Sequence, residues 1–297
     1  MFASLESSST NIGDDIQVLA ALQFLSDEVR FIDRDRIGYT KILVPTKLIL
    51  NGWFMHSPAA WPPPELLRPL VISFHAGRAK FHNSWRLDYL REQSLLRPIG
   101  ARDLATLLLF EQAGIANAYL SGCLTLTLQS RTSTVRQEHV VAVDLDPACL
   151  AALQKFTSRP VLAATQALAA SRRSWRWRLF EKRKWNRGVR FALAKRRLNE
   201  LAGAFAVATS RLHVALPCLA LGTPVLMVTD RPADPRLDTW LPHLHWCTLD
   251  DFRKGRFEFD FRDPPANRDG WRQMAASLRA SCEEFTGVPF RSFDDVG

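Results

Sequence analysis

Apolar residues along this chain follow two rhythms. Short unbroken runs read as buried strands, and apolar positions three and four apart read as helices packed on them. Ile16, Val18, Leu19, Leu22, Phe24 and Leu25 predict a first helix over 16–26, capped by Asp14 or Asp15. Strands are expected at 28–33 and 41–50, the second interrupted by Pro45 and ending at an Asn51-Gly52 turn. A Pro-rich loop over 58–69 leads to a buried strand at 70–75, a helix over 85–91 and a strand or turn at 97–101. Leu104, Leu107, Leu108 and Ala113 mark a helix over 102–114, with Gly114 as its stop and a short strand at 118–120 beyond it. Residues 129–138 are polar and make the best linker in the chain. Past it, strands at 139–144, 160–163, 204–208 and 224–228 alternate with helices over 147–156, 175–201 and 211–221. The last of these is the clearest unit: a strand, a Thr209-Ser210 cap, a helix that Pro217 should kink, a Gly222 stop and a parallel strand. An amphipathic helix over 271–285 closes the pattern.

Strand–helix alternation on both sides of the linker predicts an α/β fold of two domains, residues 1–135 and 136–270. A terminal helix and tail over 271–297 would pack back on the first domain. The length of 297 residues agrees, at roughly 150 residues per domain. Two such domains usually hold ligand in the cleft between them, beyond the strand C-termini.

Composition adds little except through charge. Hydrophobic residues make up 47% and charged residues 23%, which excludes wholesale disorder. The net charge of +9 is local: residues 171–197 hold twelve Lys/Arg against Glu181, a net of +11 that leaves −2 for the remainder. Trp175-Arg-Trp-Arg178, Phe180 and Trp185 interleave aromatics with these cations. The segment therefore reads as a contact with an anionic membrane surface, a nucleic-acid contact, or the solvated face of a long helix. No helix-turn-helix, zinc-finger, RNP or KH pattern supports nucleic acid, and none is expected as a partner. The five Cys (123, 149, 218, 247 and 282) are widely spaced without CxxC, so neither a disulfide framework nor a metal site is expected. No secretory pattern or 18-residue apolar run is visible, and the expected location is the cytoplasm.

Three loop-to-helix transitions carry candidate chemistry. Thr209-Ser-Arg-Leu-His213 opens a helix directly after a buried strand, where free N–H groups and the helix dipole favour an anion. Arg211 at that position opposes the dipole, which an anionic ligand would explain; pairing with a nearby acid is the plainer alternative. Asn11-Ile-Gly-Asp-Asp15 offers Gly13 for close backbone approach and Asp14 to accept a hydroxyl hydrogen, or is simply a helix cap. Ser121-Gly-Cys-Leu-Thr125 places small donors near Gly122, with Cys123 a thiolate candidate or a buried small side chain. Arg102 and Asp103 start a helix, where Asp103 is a natural cap and Arg102 can reach the cleft. His75 and Arg78 follow the strand 70–75, at the usual cleft position. No GxGxxG or P-loop occurs.

Four of these segments together resemble the polysaccharide pyruvyl transferase family. They are Asn11-Ile-Gly-Asp-Asp15, Ile99-Gly-Ala-Arg-Asp-Leu-Ala-Thr106, Ser121-Gly-Cys-Leu-Thr-Leu-Thr-Leu128, and Thr209-Ser-Arg-Leu-His213 with Leu221-Gly-Thr-Pro-Val225, in order over residues 11–230. One departure is Leu50-Asn-Gly-Trp-Phe54, where the family usually has a Gly-rich turn; the basic 171–197 insert is another. The resemblance implies two Rossmann-like domains facing across a cleft in a GT-B-like arrangement. It also implies transfer of the enolpyruvyl unit of phosphoenolpyruvate onto a sugar, giving a pyruvate ketal and phosphate, with no cofactor beyond that donor. Arg211 and His213 are the positions associated with phosphoenolpyruvate. Beside them, Ser210, Leu212, Arg102, Asp103, Arg78, His75, Gly122, Cys123, Thr125, Asn11 and Gly13 are expected substrate contacts, with Asp14 orienting or deprotonating a hydroxyl. A lipid-carrier-linked acceptor would suit the basic Trp-rich segment, resting on the inner membrane face. A nucleotide-sugar glycosyltransferase and a degenerate saccharide-binding protein are the alternatives on the same scaffold.

Overall fold

The computed structural model describes residues 1–7, 9–54, 60–77, 84–131, 135–168 and 186–297. Arg78 and residues 171–185 of the basic segment, including Trp175, Phe180 and Trp185, lie outside the described residues.

The first sheet has six strands: β1 (Phe2–Glu6), β2 (Val29–Asp33), β3 (Thr46–Phe54), β4 (Leu67–Ala76), β5 (Ile99–Ala101) and β6 (Ala118–Leu120), in the order β2-β1-β3-β4-β5-β6. The second has five: β7 (Val140–Val143), β8 (Val161–Ala164), β9 (Ala206–Thr209), β10 (Val225–Thr229) and β11 (His245–Thr248), in the order β11-β10-β9-β7-β8. Every pairing is parallel. The helices α1 (Ile12–Leu22), α2 (Ser84–Leu96), α3 (Leu104–Gln112), α4 (Pro147–Phe156), α5 (Arg187–Gly203), α6 (Leu212–Ala220), α7 (Leu249–Lys254) and α8 (Arg272–Thr286) flank them. The result is an α/β, Rossmann-like arrangement of two parallel sheets.

Burial explains which runs became strands. All residues of β9 and β10 are buried, as parallel strands covered on both faces must be. β1 differs from expectation, since no element was foreseen before residue 11. Ala3 and Leu5 are buried on one face and Phe2 packs, partly buried, on the core of the other beside a buried Ser4, yet the strand sits second in the sheet between β2 and β3. α1 also starts four residues earlier than its apolar spacing suggests. Asn11 is the cap, its side-chain oxygen accepting from Gly13 N at 2.9 Å.

α1 is buried almost all round because three neighbours cover it. Leu19 and Leu22 share a core with Ile49, Leu70 and Ile72 of the first sheet, Phe191 of α5, and Leu278, Cys282 and Phe285 of α8. Arg190 of α5 grips Asp15 of α1 through Nε at 3.0 Å and Nη2 at 2.8 Å, and both residues are buried. Burial pushes Asp15 up to about 6 despite Arg190. Thus α5, which runs into the second sheet, is clamped onto the first.

One irregularity lies beside the strand ends. Between β3 and β4 the register passes from Leu50↔Val71 to Gly52↔Phe74, so β4 carries one extra residue. Ser73 takes φ of 52° there. Its N–H donates to Ser121 Oγ at 3.0 Å, and its own Oγ accepts from Leu124 N at 2.9 Å. The bulge is thereby locked two residues before His75.

Candidate functional site

In both sheets the strands point their C-terminal ends at one cavity of about 540 Å³. The first-sheet wall contains Asn11 and Asp14 at the start of α1, Trp53 near the end of β3, His75 near the end of β4 and Arg102 just past β5. The second-sheet wall contains Gln166 after β8, Ser210 to His213 after β9, and Arg231 and Arg236 after β10. A larger cavity of about 1050 Å³ lies between β8 and α5, and none of the candidate residues lines it.

The two walls meet most closely at Gly13. A Cβ there would stand 2.9 Å from Gln166 Oε1, 3.1 Å from Asn11 Oδ1 and 3.2 Å from His213 Cβ. Gln166 also donates its amide to the His213 carbonyl at 2.9 Å. A side chain at residue 13 would press on the Gln166 and Asn11 side chains and crowd His213 Cβ, so glycine keeps this close approach open.

Gln17 connects the polar groups beneath. Its amide nitrogen lies 3.1 Å from Asp14 Oδ1 and 3.5 Å from His213 Nδ1, and its carbonyl oxygen accepts from Arg102 Nη1 at 3.3 Å. Asn51 Nδ2 holds the Gln17 backbone carbonyl at 3.0 Å. Asp14 faces Arg34 Nη1 at 3.4 Å. Burial acts to raise Asp14, but Arg34 and the Ser9 hydroxyl hold it below the usual carboxylate range. Asp14 is therefore an ionised acceptor.

His75 and Asp103 form a buried pair, Nδ1 to Oδ2 at 2.5 Å. The other oxygen of Asp103 caps α3, accepting from Thr106 N at 2.9 Å and Thr106 Oγ1 at 2.8 Å. Burial would raise Asp103, yet His75, Arg102 and Thr106 hold it low. Burial, with Arg102, pushes His75 below its ordinary value. An ionised Asp103 only accepts, so the short contact requires the hydrogen on His75 Nδ1. That leaves Nε2 with its lone pair, the form of a general base.

His213 keeps some surface on the cavity, but its Nε2 is sealed from solvent and has no hydrogen-bond partner among the described residues. Burial pushes its imidazole down to about 3, and Arg102 adds to this. A neutral ring with an unsatisfied buried nitrogen, on a residue that lines a cavity, is a site prepared for a ligand group. His213 lies in the first turn of α6, where no side chain caps the helix. Arg211 stands at that N-cap, half exposed at 46%, with Nε 2.8 Å from Asp144 Oδ2. The pairing with a nearby acid is present, and so is the cavity position. Arg236 is held by both oxygens of Asp234 on the same wall.

The structure thus brings Asp14, Asn11, His75, Arg102, Ser210, Arg211, Leu212 and His213 to one cavity, with Gly13 and Asp103 directly behind them. It does not bring Gly122, Cys123 and Thr125 there. Cys123 and Thr125 are fully buried against one another at 3.1 Å. Gly122 is backed by Met274 and Trp240. Their polar groups are paired within the core, and their neighbours Ser121 and Leu124 lock the β4 bulge. Gln17, Arg34, Asp144, Gln166, Arg236 and Trp53 escaped the sequence reading. Most of them act through partners distant in sequence, and only Trp53, directly after the Asn51-Gly52 turn at a strand end, carried a usable signal.

Three comparisons bear on this site. The family model described as polysaccharide pyruvyl transferase matches residues 11–231, which include both walls up to Arg231. No curated protein sequence matches the chain. Among solved structures, the chain is similar to a functionally uncharacterized protein from Klebsiella pneumoniae subsp. pneumoniae. That similarity has 12% identity and a TM-score of 0.45, covering 84% of this chain and 92% of the other.

Proposed function

The chain belongs to the polysaccharide pyruvyl transferase family, and on that premise we propose that it moves the enolpyruvyl unit of phosphoenolpyruvate onto a saccharide. The product is a pyruvate ketal bridging two hydroxyls, with phosphate released. Family membership supports pyruvyl transfer as the general activity. The observation that carries the finer reading is the single cavity in which the uncapped start of α6, Arg211, Arg236 and His213 line the wall opposite His75, which Asp103 holds from behind.

Phosphoenolpyruvate carries a phosphate and a carboxylate, so it needs two clamps. Arg211 with the N–H groups of α6 forms one, and Arg236 or Arg102 the other. The bound dianion raises the proton affinity of His213 from its low value, and His213 then protonates the methylene carbon of the enol. One sugar hydroxyl attacks the adjacent carbon as His75 Nε2 takes its proton, with Asp103 stabilising the imidazolium. The second hydroxyl attacks the same carbon, phosphate leaves, and the remaining hydroxyl proton departs with it; the proton on His75 passes to solvent, from which His213 is reprotonated. Asp14, ionised beside Arg34, is a weak base and serves to orient a hydroxyl.

In this reading the two sheets are GT-B-like halves, residues 1–135 on the acceptor side and 136–270 on the donor side. A carrier-linked acceptor would bring the protein to an anionic membrane face. Among the described residues no helix is long and apolar enough to cross a membrane. Within 186–197, Arg190 is committed to Asp15, Arg187 to Glu6, and Arg196 and Arg197 to Glu200. Surface contact therefore rests on residues 171–185. Flotation with anionic vesicles, comparing wild type with a Trp175/Arg176/Trp177/Arg178 alanine variant, tests it; equal flotation of both rejects that contact.

Calorimetric titration with phosphoenolpyruvate, beside a UDP-sugar panel, tests the donor. Saturable phosphoenolpyruvate binding that Arg211→Ala weakens supports the reading. Binding of a UDP-sugar alone turns it to glycosyl transfer, and binding of neither to a degenerate saccharide-binding protein.

A further inference from the structure

Trp53 has no role in the chemistry above. It lies one residue before the end of β3 and pairs in register with His75 of β4. The residue lines the cavity and is 38% exposed, while its strand neighbour Phe54 and Phe74 of β4 are buried in the core. Leaving an indole on the wall of a polar cavity forgoes the burial that usually stabilises it. Its position is nevertheless fixed. A Cβ on Gly77 would stand 2.9 Å from Trp53 Nε1, so the ring edge lies directly on the backbone past β4. On the other side the Trp53 and His75 rings are 6.4 Å apart between centroids, tilted by 52°.

A rigid, partly exposed aromatic face beside a general base is the surface that a pyranose needs. The C–H groups of a sugar ring form an apolar face that packs on an indole, while its hydroxyls point outward to polar partners. We propose that Trp53 is the platform for the acceptor's pyranose ring, which presents one of its ring hydroxyls to His75 Nε2. The identity of the occupant as acceptor rests on the pyruvyl-transfer reading. A nucleobase is the other flat partner for an indole. However, the half-exposed arginines that a nucleotide's phosphates would need, Arg211 and Arg236, are on the opposite wall, and Arg102, on the same wall as Trp53, is buried against Gln17 and Asp103.

The test is saturation-transfer NMR of the full chain with methyl β-D-galactopyranoside, methyl β-D-glucopyranoside and methyl β-D-mannopyranoside, with UMP as the nucleobase probe. The variants are Trp53→Phe, Trp53→Leu and Trp53→Ala, each checked for an unchanged unfolding transition. Trp53→Leu keeps apolar bulk should the alanine variant fold poorly. The wild type should transfer saturation to the C–H groups of one pyranose face. Trp53→Phe should keep the affinity within about threefold, and Trp53→Leu and Trp53→Ala should lose about tenfold. No transfer to any glycoside, equal transfer in all variants, or Trp53-dependent binding of UMP alone overturns the platform. Phosphoenolpyruvate titration of the wild type is run in parallel. Glycoside binding that depends on Trp53 without phosphoenolpyruvate binding leaves the platform standing and defeats the donor reading. The reverse pattern does the opposite.

Discussion

Replacing Asp103 with Asn separates chemistry from fold at one atom. Oδ1 of Asp103 makes both cap bonds to Thr106, and the amide oxygen of Asn can keep them, since Asn caps helices as well as Asp does. Oδ2 faces His75 Nδ1 at 2.5 Å and Arg102 Nε at 3.6 Å. In the variant an NH₂ group replaces that oxygen and donates to Nδ1, which forces the hydrogen of His75 onto Nε2. The ring can then no longer accept a hydroxyl proton, and nothing stabilises the imidazolium. General-base catalysis by an oriented histidine is worth about 10²–10⁴ in rate, or about 3–5 kcal/mol of barrier. The stability cost is one charge-assisted hydrogen bond and the counter-charge of buried Arg102, together about 3–5 kcal/mol. The assay is phosphate release from phosphoenolpyruvate with the methyl glycosides as acceptors, followed across pH, with the unfolding midpoint measured alongside. The expected outcome is a kcat lower by at least about 10²-fold and not restored at high pH, because the fault is a tautomer and not a missing ionisation. A folded variant whose kcat stays within threefold of wild type, in about the same pH profile, refutes the assignment of His75 as base.

Four further outcomes follow from the geometry. Gly13→Ala should cost about 1–2 kcal/mol in urea unfolding, because Gln166, Asn11 and His213 must all give way, and should weaken phosphoenolpyruvate binding through the displaced His213. Arg211→Ala, at a half-exposed residue, should weaken phosphoenolpyruvate binding at least about tenfold in calorimetry with the unfolding midpoint nearly unchanged. Cys123→Ala should do the reverse: about 1–2 kcal/mol of stability lost with donor affinity intact, since Cys123 is packed in the core. The His213 contribution to stability should also fall as the pH drops below about 6.5. There the unfolded chain's imidazole takes a proton that folded His213 refuses until about 3, and the contribution is fully present only above that window. His213→Asn should flatten the slope of stability against pH by up to about 1.4 kcal/mol per pH unit. The comparison cancels the opposite contribution of Asp15, whose folded value near 6 exceeds its unfolded one.

How much of this was legible depended on whether a signal was local. The β9–α6–β10 unit was readable because a strand buried on both faces is an unbroken apolar run and its helix has recognisable ends. β1 was not, because Phe-Ala-Ser-Leu-Glu carries two inward apolar residues and a buried serine. β11 was not, because its His-Trp-Cys-Thr sequence is half polar. Among site residues, Arg211 and His213 stood out by their place after a strand and by resemblance. The role of Asp103 divided itself: the cap was visible, while the partner, His75, is 28 positions away and only the fold joins them. Ser121 to Thr125 misled for the same reason. Small donors near a glycine suit an anion, but here their hydrogen bonds are spent locking Ser73 and the core. Arg236 left no pattern at all, since its position depends on a loop whose Thr239 accepts from Leu104 N of the other half at 2.8 Å.

The division of labour between the two walls is itself an argument about the reaction. A donor with two negative groups must be gathered by cations, but cations beside a base depress its proton affinity, as Arg102 already does to His75. The cavity places its half-exposed arginines and the uncapped helix end on the second-sheet wall. His75, its partner Asp103 and the Trp53 indole are on the first. Arg102, the cation nearest the base, is offset by Asp103 and tied to Gln17. That layout suits the joining of an anionic donor to a neutral polyol, where each partner needs a different electrostatic surface at the moment they touch. It also makes the contacts that hold the walls in register part of the site. The Asp15–Arg190 pair, the Gly13–Gln166–His213 approach and the Leu104–Thr239 bond set the distance between the two walls.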